Sequence, residues 1–334
     1  MKYPPKAFLR DSFSKWPAVA HADLTGKTVL LIGANTGLGL EATIHFANMK
    51  PARIIMACRS LERGNAAVAK LEKKTGYKNA EVWLVDLSKY SSVVAFVEKF
   101  EQDGGRLDIA IFNAGVLYME YAASPENWEM TLQVNVISTA LLALLLLPTM
   151  ERTAKAHSTT PRLVIVSSGA HYWATVPDAA LQSPKILDKL NEKKFCTSSV
   201  MRNRYNLSKL LDVLLTRALS DHLGTSSPVV VTTVDPGYCY SELRREMSFP
   251  LSIVNGLVEH ALCHSAEEGS RQLVYGAIGG SDAEMHGAFI ALSKVKEVSD
   301  FALSEKGVEA QKRIWDELIE ILSKVSPKIS SIVG

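Results

Sequence analysis

The chain carries almost no excess of charge: 37 lysines and arginines stand against 35 aspartates and glutamates, a formal net charge of +2. With no block of basic residues either, a nucleic-acid partner is not expected and a small molecule is. Cysteine is scarce. Cys58, Cys196, Cys239 and Cys263 lack C-x-x-C spacing, which argues against a disulfide framework and predicts reduced thiols in a cytoplasmic protein. There is no apolar run of the ~20 residues that a membrane span requires. The longest, Ala140 to Leu147, meets Pro148, so a buried or interface helix closed by that proline is the expectation. Pro4, Pro5, Lys6 and Arg10 interrupt the stretch where a secretory signal would need apolar residues, so export is not expected.

What is present is enough apolar material, 47% of 334 residues, for one large domain with a buried core. From Thr28 onward, short β-branched runs alternate with helical stretches, the pattern of an α/β protein with a doubly wound parallel sheet and helices on both faces. Seven strands are predicted, over Thr28–Ile32, Arg53–Ala57, Glu81–Val85, Asp108–Phe112, Leu163–Ser167, Val229–Val234 and Ala288–Leu292. Residues 1–24 contain prolines and little periodicity, so they read as a surface arm ahead of a single domain over 25–334. Two segments depart from the repeating unit, at about 169–203 and 240–287. Both follow strands at the end where such sheets bind ligands, which makes them candidates for a substrate lobe. Helical spacing of Val308, Ile314, Trp315, Leu318, Ile319 and Leu322 predicts a final helix over Glu305–Val325.

The first strand runs into Gly33, Ala34, Asn35, Thr36, Gly37, Leu38 and Gly39, followed by a helical stretch from Leu40 to Met49. In a strand, glycine turn and helix of this kind, the glycines let the backbone approach a pyrophosphate. The phosphate charge then sits on free N–H groups at the helix start. A structural turn remains the alternative. About twenty residues on, where a carboxylate would select NAD, the second strand ends in Ala57, Cys58 and Arg59. An arginine there can pair with the 2′-phosphate of NADP(H), so NADP is the expected cofactor, unless Arg59 is a solvated loop charge. Asp86, with Leu87 beside it, closes the third strand as an acceptor for an adenine amino group or as a helix cap.

Tyr205 and Lys209 lie four apart in a leucine-rich helical stretch, hence on one face. An ammonium beside a phenol favours the phenolate and draws the tyrosine's pKa toward neutrality, which suits the pair to general acid/base work on a carbonyl or alcohol. Ser167 and Ser168 end the fifth strand, where a hydroxyl could hold a carbonyl oxygen or merely close a turn. Asn113, Ala114 and Gly115 close the fourth strand. Asn135 falls in the helix that follows, a place where asparagine is disfavoured unless its amide is used.

Taken in order, Gly33 to Gly39, Asp86, Asn113 to Gly115, Asn135, Ser168, Tyr205, Lys209, Pro236, Gly237 and Ser241 resemble the motif series of the short-chain dehydrogenase/reductase family. The resemblance covers about Lys27 to Ser241. It implies a Rossmann-type fold, Tyr205 as proton donor, Lys209 as its pKa modulator and a ligand of the nicotinamide ribose, Ser168 as carbonyl anchor, and Asn135 as holder of a relay water. It also implies NADPH-linked reduction of an aldehyde or ketone. Three places depart from the family pattern. Ile32 replaces a threonine, Phe112 replaces an asparagine, and Ser241 stands where a threonine is usual. The 36 residues between Ser168 and Tyr205 exceed the usual spacing, as in members resembling retinol dehydrogenases and fungal reductases. The family often packs the helix of Ala140 to Leu147 against a partner, which implies a homodimer.

Two other readings stay open: an NADP(H)-binding sensor without chemistry, and an epimerase or dehydratase of the same fold. Weaker signals are read blandly. His171, Tyr172 and Trp173 are pocket wall or ordinary packing. His260 and His264 share helical spacing but lack a third ligand, so no metal is expected. Arg202 and Arg204 read as a solvated helix start rather than an anion site.

Overall fold

The computed structural model describes residues 3, 4, 6, 10, 11, 13–240, 243 and 263–334. Eight strands make one sheet: β1 (Thr28–Ile32), β2 (Arg53–Cys58), β3 (Ala80–Leu84), β4 (Ile109–Phe112), β5 (Arg162–Val166), β6 (Val230–Asp235), β7 (Phe289–Ala291) and β8 (Lys294–Lys296). Their order is β3-β2-β1-β4-β5-β6-β7-β8. All neighbours are parallel except β7 and β8. The chain winds outward from β1 through β2 to β3, then returns to place β4 on the other side of β1. That reversal opens a crevice at the carboxyl ends of β1 and β4, where such sheets bind ligands.

Burial on both faces explains the apolar runs Val29–Ile32 in β1 and Leu163–Val166 in β5, where every residue is buried. Alternate side chains of β1 feed two cores: Leu30 and Ile32 join one, Val29 and Leu31 the other. One face is covered by α1 (Gly37–Asn48), α2 (Leu61–Thr75) and, after β6, α6 (Ala266–Ile278). The other is covered by α3 (Tyr90–Gln102), α4 (Ser138–His157) and α5 (Arg204–Leu223), with α7 (Glu305–Val325) and α8 (Lys328–Val333) packed outside them.

Two expectations are corrected. The strand β8 has no predicted counterpart, because a three-residue Lys-Val-Lys edge strand carries no apolar alternation. It is joined to β7 through Leu292 and Ser293, both at positive φ, without the Asn-Gly signal of such turns. Pro148 does not close the apolar helix, which runs on to His157. Met130–His157 is long and apolar enough to cross a membrane, but 94% of its apolar window is buried within the molecule, so its hydropathy belongs to a core helix. Leu141 to Leu147 are buried within this chain, whose own α3 and α8 pack against α4. Of the segment expected as a lobe over about 240–287, residues 241–242 and 244–262 lie outside the described residues, while Ala266–Ile278 forms α6 between the parallel strands β6 and β7. The 169–203 segment does depart from the repeat. It forms a short 3-10 turn and three short helices, one of which, Ile186–Asn191, packs against α7 and buries Ile186, Leu187 and Leu190.

Candidate active site

The phosphate-loop residues lie where β1 gives way to α1. Gly33 adopts φ +82°, and a Cβ there would come within 2.9 Å of the Ala114 backbone. A Cβ on Gly39 would fall 2.1 Å from the Gly33 carbonyl oxygen. Only glycine permits this closeness. The Asn113 amide completes the brace by donating to that carbonyl at 3.0 Å. The turns after β1 and β4 are thus pressed together beside a cleft of about 850 Å³, a size ordinary for small-molecule sites. Asn35, Thr36, Gly37 and Leu38 line it, so the N-terminus of α1 faces the cleft with its positive dipole end.

Beyond β1, the cleft is lined by Arg59, Ser60 and Arg63. Ser60 caps α2 by accepting from the Arg63 N–H at 3.3 Å, which sets Arg63 one turn past Arg59. Arg63 is missing from the sequence reading, although its i+4 spacing from Arg59 could have disclosed it. Asp86 and Leu87 line the same region. The Asp86 Oδ1 accepts from the backbone N–H and hydroxyl of Ser88, while the cap of α3 is Lys89, so Asp86 is not the helix cap.

At the other end stand Tyr205 and Lys209, both on the cleft wall with Ala114, Gly115 and Pro236. The Lys209 ammonium lies 5.7 Å from the Tyr205 ring centroid and donates to the Val166 carbonyl and to Asp212. Burial pulls its pKa down, but the Asp212 carboxylate and Tyr205 more than offset this and leave it raised. A Cβ on Gly115 would sit 3.4 Å from Asn135 Oδ1 and 3.9 Å from Lys209 Nζ, so these three residues converge.

Asn135 explains its own presence in a helix. It lies in a π-helical segment, Gln133–Ile137, between Met130–Leu132 and α4, and such bulges gather at functional sites. Its Oδ1 accepts from the Val116 N–H at 2.8 Å, while Nδ2 donates to the Val116 carbonyl and the Ser208 hydroxyl. Asn135 therefore ties the turn after β4 to α5. It is buried, and it is not itself on the cleft wall.

The two serines divide their work. Ser167 touches the cleft, but its hydroxyl donates to the Lys209 carbonyl at 2.8 Å and is wholly buried. Ser168 is half-buried and accepts from the Ala170 N–H at 3.1 Å. Neither Ser168 nor Gly39 nor Gly237 is on the cleft wall. Gly237 is packed under Trp16 of the N-terminal arm, whose ring would meet a Cβ there at 2.2 Å. Ser241 and His260 lie outside the described residues.

Several bland readings change. Arg204 is no solvated residue: it is fully buried, with Nη2 donating to the Leu190 carbonyl at 2.7 Å and to Cys196 Sγ at 3.1 Å. Buried His171 packs at a tilt against Tyr172 and Phe289, donates from Nδ1 to the Ser168 carbonyl at 2.8 Å, and is off the cleft wall. Tyr172 and Trp173 meet Tyr3 of the arm, so packing accounts for the aromatic trio. Among the described residues no group of three His, Cys, Asp or Glu could hold a metal ion.

The profile of the family described as short chain dehydrogenase matches residues 27–176. A short chain dehydrogenase/reductase of Cryptosporiopsis sp. (strain 8999) is 35% identical over 310 residues, 92% of this chain and 94% of its own. The chain belongs to the short-chain dehydrogenase/reductase family. A further member of the family, a short chain dehydrogenase of Emericella nidulans, is 36% identical over 85% of this chain and 89% of its own. Among solved structures, L-sorbose reductase from Gluconobacter frateurii, complexed with NADPH and L-sorbose, matches with a TM-score of 0.59 at 19% identity, covering 80% of this chain and 96% of that one. Actinorhodin polyketide ketoreductase with NADPH matches with a TM-score of 0.56 at 18% identity, over 79% and 95%. At such identities the likeness is one of fold. As a short-chain dehydrogenase/reductase, the protein is an oxidoreductase of nicotinamide cofactors, and the residues present suit one. The Gly33–Gly39 turn leaves no room for a Cβ at its closest points, a helix N-terminus faces the cleft, and the cleft extends from Arg59 to Lys209.

Proposed function

We propose that the protein is an NADPH-dependent reductase of aldehydes or ketones. The observation that carries this is a single cleft with two arginines, Arg59 and Arg63, at one end and the Tyr205–Lys209 pair at the other. A pair of guanidinium groups with Ser60 between them suits the 2′-phosphate that distinguishes NADP from NAD. The α1 N-terminus and the backbone of Asn35 to Leu38 would hold the pyrophosphate, Asp86 and Leu87 would flank the adenine, and Lys209 would meet the nicotinamide ribose.

Bound there, NADPH would supply the hydride that the carbonyl carbon takes up. The residues manage the proton. Ser168 and Tyr205 would grip the carbonyl oxygen. As the carbonyl π pair collects on that oxygen, the Tyr205 O–H bond breaks and the alcohol O–H bond forms. The resulting phenolate, stabilised by the Lys209 ammonium, is reprotonated from solvent by way of the Asn135 neighbourhood. Half-buried apolar walls at Val116, Leu117 and Tyr118 favour lipophilic or aromatic substrates. The L-sorbose reductase and polyketide ketoreductase neighbours were both solved with NADPH, in keeping with that cofactor. NADPH consumption measured across aromatic, aliphatic and sugar carbonyls tests the reading: lipophilic carbonyls should be turned over, and exclusive use of small polar sugars would refute the substrate class.

A further inference from the structure

Asp212 follows Lys209 by one turn of α5, and both side chains are inside the protein, 1% and 7% exposed. The ammonium donates to Asp212 Oδ2 at 2.8 Å and to the Val166 carbonyl at 2.9 Å. Two of its three hydrogens therefore point into the protein, and one remains for the cleft. Asp212 Oδ1 is buried with no hydrogen-bond partner. A carboxylate with an unmet oxygen is costly in such a place, and replacement of a whole buried ion pair by well-packed apolar side chains is often neutral or stabilising. Its neighbours on the helix, Leu210, Leu211, Val213 and Leu214, are buried and apolar. Packing supplies no reason for an acid here, and the Lys209 charge does.

The geometry points to Asp212 as a positioning residue that anchors the Lys209 ammonium and offsets its charge toward Tyr205, so that the phenol retains its proton for delivery to a carbonyl. This rests on the reading of Tyr205 as the proton donor. A lone ammonium in a dry site, 5.7 Å from the phenol ring centroid, would favour the phenolate, the form that takes a proton from an alcohol. Paired at 2.8 Å with a carboxylate, the ammonium presents a dipole, whose field falls off faster than that of a charge. The pair thereby biases the site toward reduction.

The surroundings leave this assignment to Asp212. From β5 come the uncharged Val166 carbonyl and Ser167 hydroxyl, and from the π-helical segment the Asn135 amide. Tyr118 lies on the cleft wall, and Arg59, Arg63, Asp86 and the Cys58 thiol line it beyond β1. Asp235 ends β6 and accepts from the Gly237 N–H, and His171 is enclosed between Tyr172 and Phe289. Among the described residues, Asp212 and Tyr205 raise the pKa of Lys209, and Lys209 lowers that of Asp212. Burial raises the Asp212 carboxyl's pKa, and Lys209 opposes that rise, as expected of a pair held together in a low-dielectric site.

The test is a titration of Tyr205 itself in the full-length, cofactor-free protein, read as the phenolate absorbance lost on Tyr205→Phe. Asp212→Asn keeps the shape and removes the charge. The Tyr205 midpoint should fall by about one pH unit in that variant, and the pH profile of kcat/KM for alcohol oxidation should move toward acid by the same amount. A midpoint that stays or rises overturns the proposal, as does a kcat lowered equally at every pH. Asp212→Ser carries the same expectation as a second variant. Loss of the folded state in both would make Asp212 purely structural and would also overturn it. If the unaltered protein turned over no carbonyl, the proposed function would fail while the titration still judged Asp212.

Discussion

Arg204 and Glu129 face each other in the interior, Arg204 Nε 3.4 Å from Glu129 Oε2, with neither side chain exposed at all. Glu129 also accepts the N–H groups of Thr131 and Leu132, and so caps the helical turn that leads into the π segment of Asn135. Arg204 immediately precedes Tyr205 and binds the Leu190 carbonyl of the long insertion. One ion pair thus joins α5, the Asn135 segment and the 169–203 segment.

Removal of this guanidinium leaves a buried carboxylate without its counter-ion. Arg204→Ala is expected to lower unfolding stability by roughly 3–5 kcal/mol, measured by chemical denaturation. Glu129→Gln in the same background should recover part of the loss, since it removes the unpaired charge. An Arg204→Ala protein as stable as the parent would contradict the pairing.

Arg59 and Arg63 should set cofactor choice. Each charge-assisted hydrogen bond to a phosphate contributes about 1.5–3 kcal/mol. Arg59→Ala or Arg63→Ala should therefore raise the Kd for NADPH roughly 10- to 100-fold, with little change for NADH. Fluorescence titration with the two cofactors checks this, and equal losses for both would point away from a 2′-phosphate site.

His171 gives the fold an acid sensitivity. Burial pushes its pKa down to about 4, with the Ser168 carbonyl partly opposing, while the unfolded chain protonates near 6.5. The unfolded state therefore binds more protons between these values. The stability tied to the neutral imidazole is full above about pH 6.5 and is lost progressively as pH falls toward 4, about 3 kcal/mol in all. His171→Gln should flatten the dependence of unfolding free energy on pH across this window.

Gly39→Ala should abolish cofactor binding, because its Cβ would lie 2.1 Å from the Gly33 oxygen. Calorimetric titration with NADPH reads the loss, and retained affinity would show that the turn can yield.

Much of this architecture was legible in the chain. The parallel strands announce themselves as β-branched runs because both faces are buried, and β1 and α7 occupy the predicted residues. The phosphate turn and the Tyr205–Lys209 pair were legible because backbone crowding and helix periodicity impose fixed spacings. What escaped depends on contacts distant in sequence. Arg204 and Arg202 look alike in sequence, and only the Glu129 carboxylate, 75 positions away, buries one of them. Trp16 lies in a stretch without periodicity, and its place over Gly237 is set by tertiary packing. Pro148 misled because a proline normally ends a helix, whereas here the surrounding core holds the helix continuous.

The most direct test of the account is NADPH oxidation with a lipophilic carbonyl by the protein and by Tyr205→Phe, with NADPH affinity measured in parallel. The account predicts that kcat falls roughly 100- to 10,000-fold while the cofactor Kd changes little. A Tyr205→Phe protein that reduces the carbonyl at the parent rate would contradict it.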